Sequence, residues 1–236
     1  MPNSFYVEFK GILDDKGDNF FIGFTNGSSI SPESLTLKFS MNEKDDKNGY
    51  DVHLAVDGAN FFKETFEDAT FSDGRLIINS VPSIFIINPD LLIKENSILL
   101  TETSDWKLLG EIYGNAKPST ATERQGIKAI MVHAFHITDS GPTMPLNLGF
   151  DPNTGILVYI GAALTDVLLN EMGINFISGV FKLVSFSDNL NFELVEIPSS
   201  PASGLFFVVP VLLISLFGLF IISTVVIYKV NKKRKR

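Results

Sequence analysis

A long uncharged segment near the C-terminus limits what this chain can become. From Gly204 to Tyr228 there are 25 residues without a charge, mostly Leu, Ile, Val and Phe. As a helix rising about 1.5 Å per residue, the segment would reach roughly 37 Å, more than the ~30 Å hydrocarbon core of a bilayer. A body this small could not bury it, so we predict a transmembrane helix. The predicted anchor residues are Leu205, Phe206, Leu213, Phe217, Phe220, Ile222 and Tyr228.

The last eight residues predict the orientation of that helix. Lys and Arg beside a span stay on the cytoplasmic side, and the opposite flank, 195–204, has no basic residue. We therefore predict a cytoplasmic C-terminus that contacts anionic lipid headgroups, and an acidic body outside the cell. The neighbouring apolar segment argues against a nucleic-acid patch, so no nucleic-acid partner is expected. The six basic residues are Lys229, Lys232, Lys233, Arg234, Lys235 and Arg236.

Export of the body requires a translocation signal, which the first residues, MPNSFYVEFKGILDD, do not provide. They lack a basic region, a continuous apolar run and a small-residue cleavage site. Two explanations stay open. Either the given start is internal and a signal peptide precedes it, or the protein is tail-anchored with its body in the cytoplasm. We favour the first, because the second requires six charges to cross the membrane.

Hydrophobic periodicity in the body predicts β-strands. Residues 35–42 and 50–56 alternate with period 2 around a polar turn that ends in Asn48-Gly49, which is typical of a β-hairpin. Segments 4–12 and 19–25 predict a second hairpin. Segment 57–74 breaks the rhythm and predicts a short helix or an irregular crossing, whereas 83–89 (SIFIINP) predicts a further strand.

The expected fold class is mainly β, with roughly ten strands in an antiparallel sandwich or a partly open barrel, followed by a single C-terminal transmembrane helix. The predicted organisation is a β-rich ectodomain over 1–197 with a candidate lobe boundary near 116–125, a Pro/Ser stalk at 198–203, the transmembrane helix at 204–228 and the basic cytoplasmic tail at 229–236.

Candidate metal sites are weak in this sequence. The chain has no cysteine, which excludes disulfides, thiolate catalysis and Cys-type zinc sites. His133 and His136 lie three apart on a predicted strand, so they should point to opposite faces. The acidic turns 14–19 and 45–51 gather carboxylates but lack the spacing of a Ca²⁺ loop. We expect neither a metal nor another cofactor.

Candidate catalytic and modification motifs are equally sparse. Asp139-Ser140-Gly141 is the triplet of aspartic proteases, but a second triplet is missing, so a turn is the better interpretation. Asn26 begins the glycosylation pattern Asn-Gly-Ser and is a candidate acceptor if the body is exported. We therefore expect no catalytic residues.

Part of the sequence resembles a known group of proteins. The run FDPNTGILVYIGA at 150–162, the later GVFKLVSFSDN at 179–189 and a Pro/Ser stalk before an apolar segment and a basic end are similar to uncharacterised surface proteins of archaea. In those proteins an Asp-x-x-Thr-Gly-x-Leu hairpin occurs in a β-rich ectodomain near a C-terminal membrane anchor. The resemblance covers about the last 110 residues, and it implies architecture and location but no activity.

The sequence thus favours a single-pass, membrane-anchored, surface-displayed β domain that binds an extracellular ligand or contributes to the cell envelope without catalysis. Two alternatives stay open. An open barrel could carry a lipid or another apolar ligand, and would then enclose a Phe-lined cavity. A membrane-tethered hydrolase would place acid, His or hydroxyl groups with shifted pKa values in a deep pocket.

Overall fold

Alternating apolar side chains build one large antiparallel sheet. In the strand over Thr36–Glu43, Leu37, Phe39 and Met41 are buried while the residues between them face outward. Side chains on a strand alternate between faces, so such a strand covers a core with one side only. The computed structural model describes residues 4–12, 20–45, 49–58, 60–94, 97–102, 106–116, 125–138 and 141–196.

The described elements are eighteen strands and two short helices. In chain order they are β1 (Ser4–Ile12), β2 (Phe21–Phe24), β3 (Ser29–Ile30), β4 (Thr36–Glu43), β5 (Tyr50–Asp57), β6 (Phe61–Ser72), β7 (Arg75–Ile78), β8 (Val81–Pro82), α1 (Pro89–Lys94), β9 (Ser97–Glu102), β10 (Trp106–Ala116), β11 (Gln125–Ile127), β12 (Ala129–Thr138), β13 (Gly141–Phe150), β14 (Leu157–Gly161), β15 (Ala163–Leu164), α2 (Val167–Glu171), β16 (Ile174–Ser178), β17 (Val180–Phe186) and β18 (Leu194–Glu196).

Twelve strands form the large sheet, in the order β8-β7-β6-β5-β4-β1-β17-β14-β13-β12-β10-β9. The two end strands, β8 and β9, approach each other, so the sheet is nearly closed and barrel-like. Two smaller sheets have the orders β15-β16-β2-β3 and β11-β18. The prediction of a mainly β, antiparallel fold is confirmed, and so is the hairpin of β4 and β5.

A buried segment lies where a strand was predicted. All five residues over 83–87 are buried, and their only ladder contact among the described residues is a single bridge between Ile86 and Ile156. Phe85 stacks on Phe39 with ring centroids 4.7 Å apart and planes 3° from parallel. Side chains on both sides of this segment are apolar, so it fills the core instead of covering one face of it.

The predicted hairpin of segments 4–12 and 19–25 is wrong. β1 pairs with β4 and β17, whereas β2 pairs with β3 and β16 in the four-stranded sheet. Burial provides the reason. Phe20 and Ile22 are both buried, and the Phe20 ring lies 6.0 Å from that of Phe181 in β17. This stretch therefore packs on the apolar face of the large sheet and does not extend β1.

Segment 57–74, predicted as a helix or an irregular crossing, contains the twelve-residue strand β6. Its pairing with β5 shifts register between Tyr50 and Val52, and Asp68 has a positive φ of 63°. The two buried residues of β6, Phe66 and Ala69, are consequently three apart and not two. A bulge of this kind hides the alternation on which the sequence prediction depended.

Neither helix in the described part of the chain is long and apolar enough to cross a membrane. The predicted stalk at 198–203, the predicted anchor at 204–228 and the predicted basic tail at 229–236 lie outside the described residues. Most of the candidate lobe boundary at 116–125 also lies outside them.

Candidate functional site

A polar surface covers the outer face of four neighbouring strands. β1, β4 and β5 pair in regular register, and β6 pairs regularly with the β5 residues 52–57, so the outward side chains line up in rows across the sheet. The inward neighbours of these side chains, such as Val7, Leu54 and Val56, are fully buried. The three rows are Tyr6–Ser40–His53–Thr65, Glu8–Lys38–Ala55–Lys63 and Lys10–Thr36–Asp57–Phe61.

The smallest side chain in these rows creates a groove. Ala55 stands between Lys38 and Lys63 across the sheet and between His53 and Asp57 along its own strand. All four neighbours are longer, so they leave a depression of about 420 Å³ above Ala55. We call this depression the outer groove; its lining residues are Glu8, Thr36, Lys38, Ser40, His53, Ala55, Asp57, Phe61 and Lys63.

One wall of the outer groove is ordered by contacts of Lys38. The Lys38 Nζ atom lies 3.7 Å from Glu8 Oε2 and 4.7 Å from the centroid of the Tyr6 ring. The Tyr6 hydroxyl in turn lies 3.1 Å from Ser185 Oγ in β17. An exposed ion pair contributes little to stability, but the second contact with the ring restricts where the ammonium group can be.

The opposite wall carries groups that the described part of the chain does not pair. Neither Asp57 nor Lys63 forms an ion pair there. Phe61 is 65% exposed, although the next residue, Phe62, turns inward and packs 5.6 Å from Phe24. At one end, His53 Nδ1 lies 2.9 Å from Thr65 Oγ1, which fixes the imidazole ring.

The outer groove therefore offers donors, acceptors and an aromatic face together. Its two carboxylates, Glu8 and Asp57, balance its two ammonium groups, Lys38 and Lys63. The volume lies within the range of about 300–1,000 Å³ usual for small-molecule sites. Among the described residues there is no group of three His, Cys, Asp or Glu side chains that could hold a metal ion. The arrangement suits recognition of a polar ligand.

His133 and His136, the two histidines considered as metal ligands, lie on β12 and do not line the outer groove. His133 Nδ1 is 2.7 Å from Asn147 Oδ1 on β13, and its ring packs edge-on against Phe135. Burial lowers the pKa of His136. The odd separation places the two side chains on opposite faces of the strand, as predicted from the sequence.

The acidic turns and the Asp-Ser-Gly triplet are described only in part. Residues 14–19, Asp139 and Ser140 lie outside the described residues. In the turn 45–51, Asp51 is balanced by Lys44, whose Nζ lies 3.6 Å from Asp51 Oδ1 and also binds Asp68. The hydrogen bond from Lys44 to Asp68 raises the pKa of the lysine. The ammonium group of Lys44, the residue before this turn, thus provides the positive charge beside Asp51.

Asn26 stands in an exposed turn between β2 and β3. Its Oδ1 accepts hydrogen bonds from the Ser28 backbone N–H at 2.9 Å and from the Ser28 hydroxyl at 2.6 Å. The acceptor pattern is therefore accessible, and glycosylation of Asn26 stays a prediction.

The Asp-Pro-Asn-Thr-Gly motif forms a turn that holds the buried segment 83–87. Asp151 Oδ2 accepts hydrogen bonds from the Thr154 backbone N–H at 2.8 Å and from the Thr154 hydroxyl at 2.7 Å. Gly155 then accepts a hydrogen bond at 3.0 Å from the backbone N–H of Ile87. The motif therefore has a structural role in this chain.

A buried acid lies beside a hydroxyl, but neither can reach a substrate. Asp166 accepts hydrogen bonds from the Ile84 N–H at 2.7 Å, the Leu168 N–H at 2.9 Å and the Ser83 hydroxyl at 3.1 Å. Burial raises the pKa of Asp166 to about 6. Both Asp166 and Ser83 are completely buried. The carboxylate caps α2 and holds the start of the buried segment, which are structural tasks.

The sequence interpretation did not identify the outer groove. It recognised β4 and β5 but drew no inference from their outward residues. The available signal was the register of that hairpin, because a lone Ala55 between long charged side chains predicts a depression. The contributions of Phe61 and Lys63 were hidden, because β6 was not recognised as a strand.

These features define a mainly β protein with a nearly closed, barrel-like antiparallel sheet and a polar groove on its outer surface. No family model, curated protein or solved structure matches the chain.

Proposed function

We propose that the protein is a single-pass, membrane-anchored, surface-displayed β domain that acts by binding an extracellular ligand or an envelope component through the outer groove. The observation that carries the proposal is the contrast between the two faces of β4 and β5. Their inner face is fully buried, whereas the outer face presents Asp57, and the neighbouring β6 adds Lys63 and the exposed ring of Phe61. No described residue forms an ion pair with Asp57 or Lys63.

The proposed location rests on the sequence. The apolar segment 204–228 and the basic tail 229–236 are the features from which an anchor and its orientation were predicted. The resemblance to archaeal surface proteins implies the same arrangement, with a β-rich body outside the membrane.

Binding is favoured over the two alternatives by what lies inside the sheet. A carrier of apolar ligands needs an apolar cavity, but large buried rings such as Phe39, Phe85 and Phe150 occupy the core. A hydrolase needs an accessible group with a shifted pKa. The acid with the largest such shift among the described residues, Asp166, is completely buried.

Protease treatment of intact cells tests the proposed location. Full-length protein with an epitope after Arg236 is expected to lose its body to added protease and to keep a small, protected C-terminal fragment. Permeabilised cells provide the control, because the epitope should then be lost as well. A body that stays intact on sealed cells while permeabilised cells degrade it would contradict the proposal.

Filling the outer groove tests the proposed binding. Ala55→Tyr places a ring in the groove without altering the core, because Ala55 faces outward. Thr70→Tyr is the matched control, since Thr70 is exposed on β6 outside the groove. Full-length protein in lipid nanodiscs should bind isolated envelope material at least fivefold more weakly with Ala55→Tyr than with Thr70→Tyr. Equal retention of both variants would contradict a role of the groove.

A further inference from the structure

We infer that the ligand of the outer groove is a short, uncharged saccharide, bound by hydrogen bonds to its hydroxyl groups and by contact of one ring face with Phe61. The inference rests on the proposed function, because it names the ligand class of the same groove.

The polar groups of the outer groove match the chemistry of sugar hydroxyls. The carboxylates of Glu8 and Asp57 only accept hydrogen bonds, the ammonium groups of Lys38 and Lys63 only donate them, and the hydroxyl of Ser40 does both. A sugar hydroxyl also donates and accepts, so it can satisfy both kinds of neighbour at once. Hydrogen bonds to charged groups are stronger than those between neutral groups.

The aromatic ring of Phe61 supplies the surface on which one face of a sugar ring can pack. It is 65% exposed at the edge of the outer groove, where Asp57 is its cross-strand partner. The face of an aromatic ring carries negative charge density, and it attracts the slightly positive C–H groups on the flat side of a sugar ring. A carboxylate beside such a ring can accept hydrogen bonds from hydroxyls at the edge of the same sugar.

Charge balance argues against polyanions and polycations. A nucleic acid or a phosphate-rich polymer would approach Lys38 and Lys63 but would be repelled by Glu8 and Asp57. A basic polymer would be attracted by Glu8 and Asp57 but repelled by Lys38 and Lys63. An uncharged ligand avoids both penalties, because hydroxyl dipoles can orient toward either sign of charge.

Strand pairing argues against an extended peptide as the occupant of the outer groove. Peptides often bind by adding a strand to a free sheet edge, where backbone hydrogen bonds provide affinity. β1, β4 and β5 are each paired on both sides within the large sheet, so the floor of the outer groove offers side chains and no free edge. Among the described residues, β6 pairs with β7 only over Thr70–Ser72, so a peptide added to the outer edge of β6 would lie beside the groove and not above Ala55. Recognition here therefore depends on side-chain donors and acceptors.

Calorimetric titration of the full-length protein in lipid nanodiscs tests the inference. The probes are the neutral sugars maltose, cellobiose, lactose and di-N-acetylchitobiose, with inorganic phosphate and a heparin disaccharide as charged probes. We expect at least one neutral sugar to bind, and Ala55→Tyr to abolish that binding. Phe61→Ala should weaken it at least tenfold, whereas Phe61→Trp should retain it because the ring face is preserved.

Ile93→Ala is the matched control for Phe61→Ala, because Ile93 is 69% exposed on α1 and lies outside the outer groove. It should leave sugar binding unchanged. Binding of the charged probes alone, or of no probe, would overturn the saccharide inference. Such a result would not decide the proposed function, which is tested separately by envelope retention of Ala55→Tyr and Thr70→Tyr.

Discussion

Among the described residues, Asp166 is a buried acid through which pH acts on the stability of the fold. Its carboxylate receives hydrogen bonds from two backbone N–H groups and from Ser83, yet complete burial still raises its pKa to about 6. The folded chain therefore keeps a proton on Asp166 at pH values where the unfolded chain, with an Asp pKa of about 3.9, has released it. Stability from this group is fully present below about pH 4 and declines as the pH rises toward 6.

Replacing Asp166 by Asn tests this linkage. Between pH 4 and 6.5, the unfolding free energy of the wild type should fall relative to that of Asp166→Asn by about 2 kcal/mol, because the amide does not titrate. Urea unfolding followed by circular dichroism across this range measures the difference. Phe61→Ala, which changes no ionisable group at a 65% exposed position, serves as the control and should run parallel to the wild type. A constant difference between wild type and Asp166→Asn would contradict the predicted role.

Gly155 is a second residue whose replacement should lower the stability of the fold, in this case because of its backbone conformation and surroundings. Its φ is +70°, and an added Cβ atom would lie 1.8 Å from the carbonyl oxygen of Ile87. Gly27 also has a positive φ, +83°, but open space surrounds its Cβ position. Gly27→Ala should therefore cost only the backbone strain, about 1 kcal/mol.

Gly155→Ala should cost clearly more than that, about 3 kcal/mol or above, because the turn must also move away from the buried segment. The difference between the two melting temperatures measures the effect of the Ile87 contact. Similar losses in both variants would mean that the turn of Asp151 and Gly155 does not hold that segment.

At the scale of elements, the buried segment 83–87 links the large sheet to α2 and to the turn at Asp151. Phe85 stacks on Phe39 of β4, and its carbonyl accepts a hydrogen bond from the Leu157 N–H at 3.0 Å. Ile84 donates to Asp166, which caps α2. These contacts make the segment a shared support for elements that are distant in sequence.

Removing the Phe85 ring should therefore be costly. Phe85→Ala leaves a cavity against Phe39, and large-to-small changes of this kind cost about 3–5 kcal/mol. Phe61→Ala removes the same atoms at a 65% exposed position and should change stability by less than about 0.5 kcal/mol. Chemical denaturation of the two variants and the wild type provides the comparison. A loss at Phe85 as small as that at Phe61 would contradict the structural role.

The elements that could be predicted from sequence are those with undisturbed alternation. β1, β4 and β5 bury every second residue, and the polar turn between β4 and β5 marked their hairpin. Where alternation is absent, prediction failed for physical reasons. The bulge near Asp68 disguised β6, and segment 83–87, which is apolar after Ser83, resembled a strand although all five of its residues are buried.

The candidate site was less predictable than the fold, because it depends on which strands are neighbours. Lys38 and Lys63 are 25 positions apart in the sequence, and they flank Ala55 only because β4, β5 and β6 pair in that order. Because the sequence pattern does not reveal β6, it also does not reveal the two groove residues on that strand, Phe61 and Lys63. Asp166 was hidden for a related reason, since its burial depends on the distant segment at Ser83 and Ile84.

At the scale of the whole molecule, charge is divided sharply along the chain. The final eight residues carry six of the 19 basic side chains, and the residues before them carry 13 basic against 27 acidic side chains. Under the proposed topology this division has a direct use, because basic residues beside a span are retained in the cytoplasm. An acidic body has no comparable retention signal and can be displayed outside.

Neutralising the tail tests this division. Changing all six basic residues in 229–236 to Gln should leave the apolar segment able to insert but without a preferred direction. Added protease should then degrade the body in only part of the population of sealed cells, in contrast to complete degradation for the wild type. Lys→Arg changes at 229, 232, 233 and 235 preserve the charge and should behave like the wild type. Complete degradation of the Gln variant would show that another feature of the chain determines its orientation.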